Sequence, residues 1–294
     1  MALLHKNQIK SVVAVGSMRQ GQFVCDSTSF HVGFLMKDDP SPEKRLYHMF
    51  LATNRHVFED RETVTFRINT DDGKHKTFQT PLKDHNGESR WLAHSDPAVD
   101  LALLSVNPEV MKANGIEPLF ITEELFAYSN LLEGIGIAAG DAVYVLGFPM
   151  GLAGEEQNYV CVKGGVVSRV DSEIIRIRKA FIIDSSVFPG NSGGPVILRP
   201  TTSALDGTKA VLKAYLLGVI SGYLPFSDNL YTHQTRPPTI VSTTRENSGL
   251  SFCVPMDFAK EIYRAWLEKQ KPIDEPQKNL DAAKIVDEVK TTTS

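Results

Sequence analysis

The 294-residue sequence predicts an all-β protein with a strongly patterned helix near its C-terminus. Three observations support this. Short runs rich in β-branched and aromatic residues recur along most of the chain, separated by turn-type clusters. No helical pattern falls between neighbouring runs, which is the signature of a barrel or sandwich. Only residues 258–270 repeat apolar side chains at helical spacing, with Ile262, Ala265 and Trp266 on one face.

The first strands are expected at residues 11–15, 29–36 and 46–52, with the Asp38-Asp39-Pro40-Ser41-Pro42 turn making a hairpin of the last two. Residues 63–68 alternate cleanly, and 101–106 read as a buried strand. From residue 107 to 140 the pattern changes to one short helix, 123–132, and a turn at 138–141, as in a crossing between two halves. Strands resume at 142–146, 159–163, 165–170, 173–177, 195–198, 214–221 and 249–255. Residues 223–247 are polar and proline-bearing and predict a long loop, hence a functional one or a disordered one. Asp257 is placed as N-cap of the helix, Lys271-Pro272 ends it, and 276–294 is expected to be a mobile tail. This divides the chain into residues 1–115, a connection 116–140, residues 141–255, and a terminal helix and tail 256–294.

Composition narrows the function. A formal charge of -4 with pI near 6.1 gives no electrostatic case for nucleic acid or an anionic membrane as partner. Cys25, Cys161 and Cys253 are odd in number and far apart, so reduced thiols are expected. With no apolar leader in residues 1–10 and no long apolar run, a cytoplasmic location is expected. His75 lies between lysines, and no histidine pair has helical i, i+4 spacing, so His75, His85 and His94 read as solvated loop residues and no metal or other cofactor is expected. Cys161, Trp91 and Trp266 read as packing residues.

The chemistry-bearing stretch is Phe188-Pro189-Gly190-Asn191-Ser192-Gly193-Gly194-Pro195. A serine among three glycines, closed by prolines, forms a shaped loop whose backbone N–H groups a substrate carbonyl can approach. A serine hydroxyl needs a general base, and the base needs an orienting carboxylate. His56 stands where an apolar strand ends, in Thr53-Asn54-Arg55-His56. Asp100 directly precedes the strand Leu101-Ala102-Leu103-Leu104, whereas Asp96, before a proline, reads as a turn residue.

In this order, Thr-Asn-Arg-His, Asp-Leu-Ala-Leu-Leu and Gly-Asn-Ser-Gly-Gly-Pro resemble the His, Asp and Ser signatures of the chymotrypsin-fold, trypsin-like serine proteases. Gly147-Phe148-Pro149-Met150-Gly151 and Ser251-Phe252-Cys253-Val254-Pro255 further resemble segments of HtrA-type protease domains. The resemblance covers roughly residues 10–270 and implies two six-stranded antiparallel β-barrels with a C-terminal helix. It also implies a serine endopeptidase with Ser192 as nucleophile, His56 as base and Asp100 as its orienting acid. The N–H groups of Gly190 and Ser192 would form the oxyanion hole. Ser186 would floor the specificity pocket and Ser221, Gly222 and Tyr223 would wall it, giving a preference for an uncharged apolar side chain before the cut.

Asn191 replaces the aspartate that pairs with a cleaved N-terminus in many secreted relatives, no Ile-Val-Gly-Gly start is present, and the PDZ domain usual in HtrA chains does not follow. Control by the loops 122–140 and 223–247, or by a protein partner, is therefore expected. The sequence gives no motif that fixes an oligomeric state. The stretch 190–194 also satisfies the lipase pattern Gly-x-Ser-x-Gly, but that elbow runs into a helix with acid and histidine downstream, and here Pro195 and strands follow. The standing alternative is a catalytically silent protease fold used for binding or regulation.

Overall fold

The computed structural model describes residues 4–202, 206, 208, 210–232 and 239–270; the expected tail 276–294 lies outside them. The chain runs α1 (Lys6–Lys10), β1 (Val12–Arg19), β2 (Gln22–Lys37), β3 (Leu46–Thr53), α2 (Arg55–Glu59), β4 (Thr63–Asn69), β5 (His75–Pro81), β6 (Trp91–Ala93) and β7 (Ala102–Ser105). A connecting stretch holds α3 (Pro108–Ala113), β8 (Ile121–Thr122) and α4 (Ser129–Ile135). Then follow β9 (Ala142–Gly147), β10 (Cys161–Arg169), α5 (Ser172–Arg178), β11 (Phe181–Asp184), β12 (Pro195–Leu198), β13 (Leu216–Thr232), β14 (Thr239–Pro255) and α6 (Met256–Gln270).

The fold is all-β, in two antiparallel sheets. The second is a closed six-stranded barrel, β10-β11-β14-β13-β12-β9. The first has eight strands rather than six, in the order β5-β4-β1-β2-β3-β7-β6 with β8 added in parallel to β2. It curls without closing, because β6 is three residues long and the chain between β5 and β6 turns around the Asp84 carboxylate, which accepts from the N–H groups of Asn86 and Glu88. A single bridge, Lys83 to Ser89, spans that turn. The gap leaves an apolar cavity of about 190 Å³ between Phe66, Phe78, Leu104 and Met111.

Strand alternation assigns the two faces of β1. Val13 and Val15 point into the first sheet with Phe58 and Phe66, while Val12 and Ala14 join the interface cluster with Leu146, Phe148, Ile197 and Val219 of the second half. The halves thus share one interface cluster, beside a core of their own in each.

Five local expectations are corrected. Residues 173–177 form a helix, α5, although their isoleucines suit a strand, because the Asp171 side chain caps the Ile174 N–H at 3.0 Å and Lys179 closes the helix in the left-handed conformation. The runs 159–163 and 165–170 are one strand, β10, continuous through Gly164 and Gly165. Residues 223–232 and 239–247 are not loop but the outer part of the β13–β14 ribbon. The expected helix at 123–132 is a 3₁₀ turn at 123–125 followed by α4. Asp257 lies inside α6, and its carboxylate accepts instead from the Ser129 N–H that opens α4.

Candidate active site

His56 and Asp100 are 44 residues apart and meet because their strands are neighbours. β3 pairs with β7, Thr53 opposite Ala102; α2 leaves the end of β3 carrying His56, and Asp100 stands just before β7. Asp100 Oδ2 lies 2.8 Å from His56 Nδ1, Oδ1 accepts the His56 N–H at 3.0 Å, and the Asp100 carbonyl accepts from Asn54 Nδ2 at 2.9 Å. Both carboxylate oxygens and the Asp100 carbonyl are therefore fixed. An ionised carboxylate only accepts, so the Nδ1 proton belongs between the two groups and Nε2 is left as the basic nitrogen. The imidazole is about half exposed, its side chain at 49%. Asp96 accepts the Ala98 N–H at 2.9 Å and pairs with Lys179 at 3.1 Å, a turn residue in the structure.

Ser192 rides on a turn between β11 and β12. Gly190 and Gly193 have φ of +98° and +84°, and a Cβ would lie 2.2 Å from the Phe148 carbonyl oxygen at Gly190 and 2.0 Å from the Thr28 carbonyl oxygen at Gly193. Only glycine fits either position. Asn191 is fully buried; its N–H donates to the Phe188 carbonyl at 2.9 Å and its Oδ1 accepts the Phe188 N–H at 3.0 Å, closing the turn on itself.

Other elements hold this turn from outside. The Gly193 N–H donates to Ile220 O at 2.8 Å, and the Ile220 N–H donates to Gly194 O at 2.9 Å, from β13. Met150 N–H donates to Pro189 O at 2.6 Å, which orients the Pro189–Gly190 peptide. From the first sheet, the Thr28 N–H donates to Ser192 O at 2.8 Å, and its buried hydroxyl donates to Gly190 O at 2.6 Å while accepting the Phe148 N–H at 3.1 Å. Thr53 Oγ1, three residues before His56, donates to Thr28 O at 2.7 Å. A chain of contacts thus links the strand that leads into His56 to the Ser192 turn. Among the described residues, the N–H groups of Gly190 and Ser192 donate to no acceptor, and the Ser192 hydroxyl has no hydrogen-bond partner.

Of the residues expected at a specificity pocket, Ser186 is exposed near Gly249, with the Asp184 carboxylate at the same distance from that glycine's Cβ direction. Ser221 lines, with Asp100, Ala98 and Phe252, a cavity of about 180 Å³ behind the acid. Gly222 and Tyr223 follow it on β13, Tyr223 exposed. Thr28, Thr53 and Met150 escaped the sequence reading. Nothing in the sequence marks Thr28, whose hydroxyl reaches Gly190 O 162 residues away, while Thr53 sits within the quoted Thr53–His56 run and Met150 within the quoted Gly147–Gly151 segment.

His75 and His94 have local uses: His75 Nδ1 lies 2.7 Å from Glu156 O, and His94 Nε2 lies 2.8 Å from Glu261 Oε2. Cys161 is half-buried on β10, and Cys253 is buried. Burial pushes the Cys25 thiol up to about 11, so it is held as the thiol.

Among the solved structures that resemble the fold are the MamO protease domain and Deg5. The MamO protease domain of Magnetospirillum magneticum superposes with a TM-score of 0.47 at 13% identity over 88% of this chain and 98% of its own. Deg5 does so with a TM-score of 0.47 at 17% identity over 87% and 88%. A search of curated protein sequences returns no match. The trypsin-like peptidase domain family matches residues 32–201, a span that takes in His56, Asp100 and Ser192. Since that span is more than half of the sequence, the chain belongs to the trypsin-like peptidase domain family.

Proposed function

We propose that the protein is a serine endopeptidase acting through Ser192, His56 and Asp100. The observation that carries this reading is the His56–Asp100 hydrogen bond at 2.8 Å, linked through Thr53 and Thr28 to a serine turn that keeps two backbone donors unclaimed. His56 Nε2 takes the Ser192 hydroxyl proton as Oγ attacks the scissile carbonyl, and Asp100 stabilises the imidazolium through Nδ1. The carbonyl oxygen, now anionic, accepts from the N–H groups of Gly190 and Ser192. The imidazolium returns its proton to the leaving amine, the acyl-enzyme forms, and water activated by the same base hydrolyses it.

Ser186 brings no charge to the pocket, so cutting follows an uncharged apolar residue; a preference for Arg or Lys would instead assign the floor to Asp184. Asn191 closes the turn through its own N–H and Oδ1, which suits a turn that needs no new N-terminus to hold it. Three free cysteines suit a reducing compartment such as the cytoplasm. A fluorophosphonate probe tests the chemistry: labelling of the intact protein that vanishes in Ser192→Ala is expected. The unbonded Ser192 hydroxyl favours one rival, a silent binding module, and absence of labelling would establish it.

A further inference from the structure

The unclosed end of the first sheet carries a feature that His56, Asp100 and Ser192 do not use. Its cavity of about 190 Å³ is walled by Phe66 of β4, Phe78 of β5 and Leu104 of β7, and Met111 of α3 covers it. These side chains come from two apolar clusters, one around Phe58 and Phe66 and a smaller one around Met111 and Ile116. Protein interiors keep few spaces larger than a water molecule, and an apolar space of about 150 Å³ stays dry and takes up benzene. By that measure the cavity fits an apolar body of about six to eight carbons.

One charged side chain joins this lining, that of Arg90. Its place is fixed, because the Arg90 N–H donates to Leu82 O at 3.0 Å and the Lys83–Ser89 bridge closes the turn just before it. Arg90 is half-buried, and among the described residues its guanidinium makes no hydrogen bond and no ion pair. Asp84 does not claim it. That carboxyl is held below its usual range chiefly by the Glu88 N–H, with Arg90 contributing only weakly. The guanidinium is thus free to take an anionic group from outside.

The cavity also has a definite inner limit. Ile68, Met111 and Ile116 line it on one side and a second cavity, of about 710 Å³, on the other. That neighbour is more polar, lined by Lys10, Asn69, Asp71 and His31, whose buried Nε2 has no partner. A chain that passed the wall would leave apolar surroundings, so further methylenes would gain nothing.

From this pairing of a bounded apolar cavity with an unclaimed guanidinium we infer a binding site for a free medium-chain carboxylic acid, ionised at neutral pH. Its alkyl chain, about six to eight carbons long, lies among Phe66, Phe78 and Met111. Its carboxylate accepts from two N–H groups of Arg90, a fork that matches it in geometry and charge. A neutral or cationic head group would forgo that bond. The site needs no catalysis, so a silent protease fold would hold the ligand equally well.

The test titrates octanoate, below the concentration at which it forms micelles, into the intact protein with calorimetric readout. Affinity is expected to rise about fourfold per methylene from butanoate to octanoate and to level off by dodecanoate. Octanol and octylamine are expected to bind about tenfold or more weaker than octanoate. Arg90→Gln should weaken octanoate by about 10- to 100-fold and leave octanol as it was. Met111→Trp, which fills the cavity from α3, should abolish binding of both, with its melting temperature reporting that it folds.

Absence of saturable octanoate binding overturns the site. Equal affinity for the three head groups, or an unchanged affinity in Arg90→Gln, overturns the carboxylate as its ligand, and the head-group series requires no variant. A rise in affinity that continues through dodecanoate overturns the inner wall and the chain length it sets. N-acetyl-leucine stands for the other source of the same chemistry, an apolar residue at a peptide C-terminus. If it binds more tightly than octanoate, the free acid is not the ligand.

Discussion

The open sheet brings His56 and Asp100 together through two hydrogen-bonded neighbours, β3 and β7, so this pair is a local product of one half. The closed barrel presents Ser192 differently, on a turn tied to β13, to Met150 and, across the interface, to Thr28. The His56–Asp100 pair therefore depends on sheet register, and the Ser192 turn on docking of the two halves. Changes at the interface should damage the second and spare the first.

The largest effect is expected inside the local pair. Asp100→Asn keeps the geometry but reverses the hydrogen bond that fixes the imidazole tautomer, and kcat is expected to fall by about 10,000-fold. Steady-state kinetics with an unchanged melting temperature would bear this out; a loss under about tenfold would mean that the pair is structural.

Next comes the interface. Thr28→Val preserves shape but strands Gly190 O and the Phe148 N–H, both served by the hydroxyl. A loss of about 100-fold in kcat is expected, comparable to losing one oxyanion donor. The stability cost expected for buried groups left unpaired is about 1–3 kcal/mol. The downfield proton signal of the His56–Asp100 bond should stay where it is. If that signal moves, the two halves do not hold their parts independently.

The smallest effect at neutral pH is expected at His31, buried on β2 with Nε2 unpartnered. Burial pushes its imidazole down to about 3. Below the unfolded value of about 6.5, the unfolded chain binds a proton that the folded one refuses, so stability falls as pH drops from there toward 3, by about 1.4 kcal/mol per pH unit. Above 6.5 the residue contributes no pH dependence. His31→Leu should flatten the acid limb of the melting temperature profile; an unchanged limb would assign it to other groups.

The catalytic candidates were legible because each sits in a short run whose neighbours are fixed by local geometry: a strand end at His56, a strand start at Asp100, a glycine turn at Ser192. The threonine links were not, since a hydrogen bond between residues 162 apart leaves no local trace. The helix at α5 was hidden by isoleucines that suit either structure, and its signal lay in Asp171 and Lys179 instead. The ribbon was missed because it is exposed on both faces, so no apolar alternation distinguishes it from a loop. The open first sheet was invisible for a different reason: closure depends on how long β6 is, and strand ends are poorly marked in sequence.

Among the described residues, the first and last helices are exchanged between the halves. α6 grows out of β14 in the closed barrel, yet Tyr263 stacks on Phe34 at 4.3 Å and its hydroxyl lies 2.9 Å from His48 Nδ1, both in the open sheet. In return, Gln8 of α1 donates to Ala214 O at 2.7 Å, just ahead of β13. The chain is laced at both ends, so the connector between β8 and β9 is not what keeps the molecule in one piece. A protein nicked there should still migrate as a single particle in gel filtration, and the same segment is where new termini could be opened by circular permutation.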